Sequence, residues 1–298
     1  VTTPAWTEAC EREAQRVVHA SLGEDLGDRG DLTSSLVMRC RDIGGGALRA
    51  AVVAREPGVL AGVRTAAIVA SAVGASWDQR LDDGSALAAG SVVGHLHGQA
   101  TGVLAGERTL LNLLGVLCGT ATITRRFVEA VSGTRARICD TRKTLPGLRR
   151  LQKFAVACGG GTPHRMGLHD AVLVKDNHLA GLDPAGIASL AVQMAPQARS
   201  AGAAFIEFEV DGLDQFDALL ALPAGMIDMV LLDNFDPAML REAVSRRDAS
   251  APGLLLEASG GVTLDTVASI AATGVDRISV GSLTHSVRSL DLGLDALA

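Results

Sequence analysis

Lysine is almost missing from this sequence. Of its 27 basic residues only three are lysines, Lys143, Lys153 and Lys175, which leaves 24 arginines in a 298-residue chain. Aromatic residues make up 3% and tyrosine is absent, while 48% of the chain is hydrophobic and 34 residues are glycine. That profile predicts a soluble globular α/β protein packed with Ala, Val and Leu, and excludes a disordered chain. The formal net charge of -6 leaves no global basic patch, so nucleic-acid binding is not expected. The five cysteines (Cys10, Cys40, Cys118, Cys139, Cys158) are scattered and form no C-x-x-C, which argues against zinc and for small buried side chains in a reducing cytoplasm. No apolar run approaches the ~20 residues of a membrane helix, so no membrane span is expected. Glu8, Glu11, Arg12 and Glu13 stand where a signal peptide would have its apolar core.

What is scarce is also concentrated. Between Arg135 and Lys175 lie nine Lys and Arg against two acids, Asp140 and Asp170, and all three lysines fall inside that window. A compact ammonium does chemistry that a planar guanidinium does not, so at least two of these lysines are expected to have a chemical role. Lys153 is the exception: mid-helix beside Arg149 and Arg150, it is expected on an exposed face.

Residues 1 to about 118 mix helix and strand without a regular rhythm. Thr3-Pro4 reads as a cap and first-turn proline opening a helix to about Ala20. LGEDLGDRGDLTSS reads as a Gly/Asp loop, and Gly44-Gly45-Gly46 as a flexible surface turn. LRAAVVAREPGVLAG and SVVGHLHGQATG read as strands ended by turns. VLAGERTLLNLLGVLCGTATITRRFVEAVSG is helical by period, with a break near Gly119 and a stop at Gly133. His95 and His97 alternate on a strand but lack a third ligand nearby, so a metal pair is not expected.

From Arg137 onward short apolar runs alternate with amphipathic stretches. The strands predicted are 137–139, 171–174, 205–210, 227–232, 253–257 and 277–280. Helices are predicted from Pro146 to a stop at Gly159 and at about 184–195, 213–222, 237–247 and 263–273. Alternating βα units imply a parallel sheet covered by helices, a barrel or most of one. The strand ends then carry the chemistry. They bring Arg142 and Lys143, Lys175, Glu209, Asp233, the Ser259-Gly260-Gly261 turn, and Gly281 with His285 to one face. In βα barrels that face holds the active site, and glycine turns there let backbone N–H groups approach phosphate. Glu207 alternates with Glu209 and is expected to point to the same interior, as support for it. The ligand this set fits is strongly anionic, phosphorylated, and carries hydroxyls or a bound Mg²⁺ for the carboxylates. A second substrate bearing carboxylates would use the remaining arginines.

The motifs EDLGDRGDLTS at 24–34, ERTLLNLL at 107–114, the block from Asp140 to His178, FEVD at 208–211, LLDNF at 231–235, EASGGV at 257–262 and DRISVGSLTHS at 276–286 occur in order. With them the chain resembles, nearly end to end, the quinolinate phosphoribosyltransferases. The resemblance implies an α/β enzyme with an N-terminal α/β sandwich domain (1–118, rejoined by the C-terminal tail 286–298) and an incomplete seven-stranded α/β TIM-like barrel (119–285). It implies conversion of quinolinate and phosphoribosyl pyrophosphate to nicotinate mononucleotide, pyrophosphate and CO₂, with Mg²⁺. By position it implies that Arg142, His164, Arg165 and Lys175 bind quinolinate's carboxylates, with Arg108 reaching in from the neighbouring subunit of a homodimer. Lys143 would contact phosphoribosyl pyrophosphate. Glu209 and Asp233 would hold its ribose hydroxyls and the metal, and Ser259, Gly260, Gly261, Gly281 and His285 its 5-phosphate. The spacing from Glu209 to Asp233 is longer than that pattern, around LPAGMI, and a surface loop is expected there.

Two other readings stay open at this level. One is a relative on the same fold with a different acceptor. The other is a Schiff-base barrel lyase with Lys143 or Lys175 as nucleophile, which needs a desolvated lysine.

Overall fold

The structure is a computed structural model and describes residues 4–40 and 46–297. Thr3, Gly44 and Gly45, to which the sequence assigns a cap and a turn, lie outside the described residues. The chain divides into two compact units, one made of 1–125, 143–160 and 282–298, the other of 126–142 and 161–281.

The first unit opens with α1 (Glu8–Leu26), capped by the Thr7 side chain, which accepts from the Cys10 N–H at 3.2 Å. This cap sits later than the one expected at Thr3-Pro4, and the helix runs on through Leu26, into the expected Gly/Asp loop, to stop at Gly27, whose φ is 48°. The loop is correspondingly short, because α2 (Leu32–Cys40) begins inside LTSS with Asp31 accepting from the Ser34 N–H. Then follow β1 (Ala47–Ala54), β2 (Gly58–Val59), α3 (Val63–Ala72), β3 (Ser76–Gln79), β4 (Ala86–Leu87) and β5 (Val92–Gln99). β1, β5, β3 and the C-terminal strand Leu292–Ala296 form one antiparallel sheet, with β1 paired to β5 on one side and to the C-terminal strand on the other. Val52, Ala54, Leu96, Leu110 and Leu114 are central to the core beneath it.

α4 (Ala100–Ala130) is a single unbroken helix, so the break expected at Gly119 is absent. A Cβ at Gly119 would lie 2.1 Å from the Arg288 carbonyl oxygen. The glycine there permits close backbone approach at a helix cost of about 1 kcal/mol. By length and composition α4 would also pass for a membrane span, against the expectation of none. In this structure 61% of its most apolar window is buried, as a core helix requires. α5 (Arg149–Cys158) packs Leu151, Phe154 and Cys158 into a second core cluster.

The second unit is built on six parallel strands: β6 (Arg137–Cys139), β7 (Val172–Val174), β8 (Ile206–Val210), β9 (Met229–Asp233), β10 (Leu255–Ser259) and β11 (Arg277–Ser279). Their order is β6-β11-β10-β9-β8-β7. The place of a seventh strand is taken by one residue, Thr162, which bridges to Cys139 in parallel. Between strands run α6 (Asp176–Leu179), α7 (Pro184–Ser200), α8 (Leu213–Leu220), α9 (Pro237–Ser250) and α10 (Leu264–Ala271). α7 and α9 start alike: Asp183 and Asp236 accept N–H groups of the first turn, and a proline occupies the first helical position, where no N–H is needed. The LPAGMI stretch forms a turn exposed at Pro223, Ala224 and Gly225. The three central strands β8, β9 and β10 are largely buried and apolar, except for the acids Glu207, Glu209, Asp233 and Glu257 and the terminal Ser259.

Candidate active site

Register aligns the strand ends. Phe208 pairs with Val174, Leu232 with Val210, Ser259 with Asp233, and Ser279 with Cys139. Read across the sheet, this edge carries Arg142 after β6, Gly281 after β11, the Ser259-Gly260-Gly261 turn on β10, Asp233 on β9, Glu209 on β8 and Lys175 after β7. Cations therefore flank the edge, while carboxylates and glycine turns occupy its middle. Arg108, Lys143 and His285 belong to the first unit: Arg108 is exposed on α4, Lys143 is exposed with its carbonyl accepting from the Thr284 hydroxyl at 2.7 Å, and His285 is exposed with Nδ1 2.6 Å from Ser286 Oγ.

The Gly260 turn is shaped by Asn234. Gly260 has φ 98° and Gly261 φ 58°, and Asn234, at φ 56°, is the one non-glycine residue with positive φ among the described residues. The Asn234 N–H donates to the Ser259 carbonyl at 2.9 Å, and a Cβ on Gly260 would lie 2.1 Å from Asn234 Oδ1. Asn234 Nδ2 donates to Asp233 Oδ2 at 2.7 Å. One asparagine thus links the glycine turn to the carboxylate beside it. Asparagine tolerates this left-handed geometry better than other side chains. Its place next to Asp233 in LLDNF is the only signal of it in the sequence.

Arg165 is 7% exposed, and its Nη1 donates to the Ala171 carbonyl at 3.3 Å. Burial depresses its affinity for the proton, the nearby Arg142 depresses it further, and Glu207, Asp170 and Glu209 oppose both. Lys175 and Glu209 form an ion pair in which the lysine side chain is 43% exposed. An exposed, ion-paired ammonium is not the desolvated amine a Schiff-base mechanism needs.

His164 is placed differently from the direct ligand the resemblance implies. Its Nδ1 accepts the Arg165 N–H at 2.7 Å, and its Nε2 lies 3.2 Å from both Glu207 and Glu257. Glu207 is fully buried, and neither of its oxygens has a hydrogen-bond partner, so its 3.2 Å approach to Nε2 is a close polar contact out of hydrogen-bond line. Glu257 is also fully buried, receives Arg277 Nε at 2.7 Å and accepts the Ser279 hydroxyl. Burial drives the Glu207 carboxyl upward, reinforced by Glu257; burial also opposes ionisation of Glu257, but His164, Arg277 and Ser279 outweigh it and hold that carboxyl low. For His164, burial disfavours a second proton, while the two carboxylates push the ring up to about 9. The Nδ1 contact decides against that second proton, since only a lone pair accepts an N–H. Glu207 therefore supports His164, not Glu209. Among the described residues, His164, Glu207 and Glu257 are the one His/Cys/Asp/Glu group clustered at ligand distances; His95 and His97 form none. Glu257 and Arg277 were not singled out from the sequence, although an acid inside the apolar run LLLEAS is a legible signal of a buried polar partner.

Family models for the quinolinate phosphoribosyl transferase N-terminal domain and C-terminal domain match residues 31–129 and 120–295. The chain is 45% identical over 291 residues to the nicotinate-nucleotide pyrophosphorylase [carboxylating] of Mycobacterium leprae, covering 96% of this chain and 98% of that one. It is 38% identical over 278 residues to the probable enzyme of the same name from Bacillus subtilis, with 91% and 89% covered. Its fold is similar to that of the nicotinate-nucleotide pyrophosphorylase from Francisella tularensis, at TM-score 0.85 and 34% identity, with 96% of each chain covered. The corresponding structure from Ehrlichia chaffeensis gives 0.83 and 35%, covering 95% of this chain and 98% of that one.

Proposed function

The chain belongs to the quinolinate phosphoribosyltransferase family, and we propose from that membership that it converts quinolinate and phosphoribosyl pyrophosphate to nicotinate mononucleotide, pyrophosphate and CO₂ in NAD biosynthesis. The observation that carries this reading is the strand-end edge that brings Arg142 and Lys175 to the same side as Glu209, Asp233 and the Gly260 turn, with the Arg165 guanidinium buried. Cations crowded in this way suit a substrate with two adjacent carboxylates. They bring a dianion out of water, where an unpaired buried charge would be very costly. They also orient the ring nitrogen toward the anomeric carbon of the second substrate, which is catalysis by positioning.

As the nitrogen attacks and pyrophosphate leaves, positive charge grows on the sugar. Glu209 and Asp233, on adjacent strands, are placed to offset it and to hold ribose hydroxyls. The same pair offers hard carboxylate oxygens, the donor type Mg²⁺ prefers, so the residues present fit that ion. Bound there, the ion would neutralise charge on the departing pyrophosphate. Once alkylated, the ring nitrogen is cationic and stabilises the carbanion left by loss of the neighbouring carboxylate as CO₂; a proton from solvent then replaces it. The Gly260-Gly261 turn offers backbone N–H groups for the 5-phosphate, and a role there for Gly281 rests on the family resemblance. Roles for Lys143 and His285 toward phosphoribosyl pyrophosphate, and for Arg108 in the neighbouring site of a homodimer, rest on the family resemblance. The five free cysteines, four of them buried, are in keeping with a cytoplasmic, reducing setting.

An acceptor panel tests the reading. With phosphoribosyl pyrophosphate and Mg²⁺, quinolinate should yield pyrophosphate and CO₂, and nicotinate should be a poor substrate, because a site built for a buried partner rejects the analogue lacking it. Comparable rates with the two acceptors would overturn it.

A further inference from the structure

We propose that His164 is a positioning residue: its Nδ1 holds the backbone of Arg165, its Nε2 is held between Glu207 and Glu257, and it aims the Arg165 guanidinium at the substrate without touching the substrate itself. The meaning of Arg165 rests on the transferase reading above; the geometry of His164 does not.

The loop after Thr162 has no regular secondary structure, yet its backbone donors are accounted for one after another. The His164 N–H donates to Asp140 Oδ1 at 2.8 Å, the Arg165 N–H to His164 Nδ1 at 2.7 Å, and the Met166 and Gly167 N–H groups to Asp170 at 2.6 and 2.9 Å. Four consecutive N–H groups are thus fixed by side chains, in place of the ladder that helix or sheet would supply. Among these acceptors His164 is the imidazole, and it is anchored by a further layer. Glu207 from β8 and Glu257 from β10 face its Nε2, Arg277 and Ser279 from β11 hold Glu257, and the Phe205 ring meets the imidazole edge-on at 5.3 Å.

The arrangement determines the tautomer. A second proton would sit on Nδ1 and point at the Arg165 N–H, placing two donors face to face. The ring therefore carries one proton, on Nε2, toward the two carboxylates. A direct ligand of a substrate carboxylate would instead need a ring N–H aimed at that carboxylate. In this structure one nitrogen is an acceptor and the other faces acids.

Asparagine and glutamine separate the two roles. In His164→Asn the new amide oxygen falls near the place of the imidazole Nδ1, whereas the longer amide of His164→Gln reaches toward that of Nε2. Steady-state kinetics should therefore be compared for His164→Asn, His164→Gln and His164→Ala. If Nδ1 is what matters, His164→Asn should keep kcat/KM for quinolinate within about tenfold of wild type. His164→Gln and His164→Ala should lose about 100-fold, the cost of a misplaced contact group. The KM for phosphoribosyl pyrophosphate should stay within about twofold in all three, because Arg165 is assigned to the other substrate. Equal losses in the Asn and Gln variants would overturn the proposal. Histidine-¹⁵N NMR of the wild-type protein decides the point independently of folding in the variants and of turnover. A pyridine-type Nδ1 with a pyrrole-type Nε2 is expected at His164, assigned by its disappearance in His164→Asn, or from the wild-type backbone if that variant does not fold. Two pyrrole-type nitrogens would overturn the proposal even in an enzyme fully active with quinolinate. Wild-type inactivity with quinolinate would sink the transferase reading and leave the His164 geometry standing.

Discussion

Lys175 is ion-paired with Glu209 across the adjacent parallel strands β7 and β8. The two residues are assigned to different substrates, so the pair has to open when both are bound. Glu209→Gln should release the ammonium for a carboxylate. Calorimetry without phosphoribosyl pyrophosphate should then show quinolinate binding held or tightened, while turnover falls. Lys175→Ala should weaken quinolinate binding by about tenfold or more, as loss of a charge-assisted contact does. Weaker quinolinate binding in Glu209→Gln would mean that the carboxylate positions the lysine and does not merely occupy it.

Asp233 tests the metal assignment. It lies beside Glu209 on the next strand and is oriented by Asn234 Nδ2. Asp233→Asn keeps the size and removes the hard anionic donor, so the Mg²⁺ concentration needed for half-maximal rate should rise by about tenfold or more. Quinolinate binding measured alone should change much less. An unaltered Mg²⁺ titration would make the carboxylate structural.

Lys153 overturns its sequence-based placement on an exposed face. It is 2% exposed, and it lies on α5 among the buried Gln152, Phe154 and Ala155. Lys153→Ala removes a long buried side chain and leaves its surroundings unfilled. The expected loss is about 2–4 kcal/mol of stability, read as a lower urea midpoint at unchanged m-value. Lys153→Met, which keeps the volume, should lose less. A silent Lys153→Ala would return the residue to the surface.

Asp83 gives the protein a pH dependence of unusual sign. Its carboxylate accepts the Gly62 and Val63 N–H groups at 2.6 and 3.1 Å, at the start of α3. Burial pushes it up to about 6, against those two hydrogen bonds. A carboxyl raised on folding binds its proton more tightly in the native state. Its contribution is therefore full below about pH 4, the unfolded value, and is lost as pH rises through about 6. Asp83→Asn keeps an acceptor and removes the buried charge. It should flatten that slope and add on the order of 1–3 kcal/mol at pH 7–8. A destabilised Asn variant at pH 8 would show that the charge itself is needed at the helix start.

The six strands and the longer intervening helices of the second unit were legible to within a few residues because period is local. The continuity of α4 was not, since Gly119 answers to the Arg288 carbonyl, distant in the chain. Lys153 failed for a related reason, because burial of a lysine is decided by what packs over it. His164 entered only through the resemblance, and its partners Glu207 and Glu257 are brought to its Nε2 only by the sheet order. What resisted reading was the identity of each polar group's partner.

Arg108 bears on assembly. It is exposed on α4, whose Leu110, Leu111, Leu113, Leu114 and Leu117 turn into the core. The family resemblance assigns it to the neighbouring subunit's site, whereas Arg142 serves its own chain. If so, Arg108→Ala and Arg142→Ala should each be nearly inactive alone, since each removes a cation from every site. In a two-fold dimer mixed from the two variants, one site carries both defects and the other neither. Random pairing makes half the dimers mixed, and half of their sites are intact, so activity should return to about a quarter of wild type. The check is co-expression with differently tagged chains, purification of the doubly tagged dimer, and an assay with quinolinate and phosphoribosyl pyrophosphate. The purified heterodimer alone should reach about half of wild-type activity per dimer. Inactive heterodimers, with both tags confirmed, would place Arg108 in its own chain's site or outside any site.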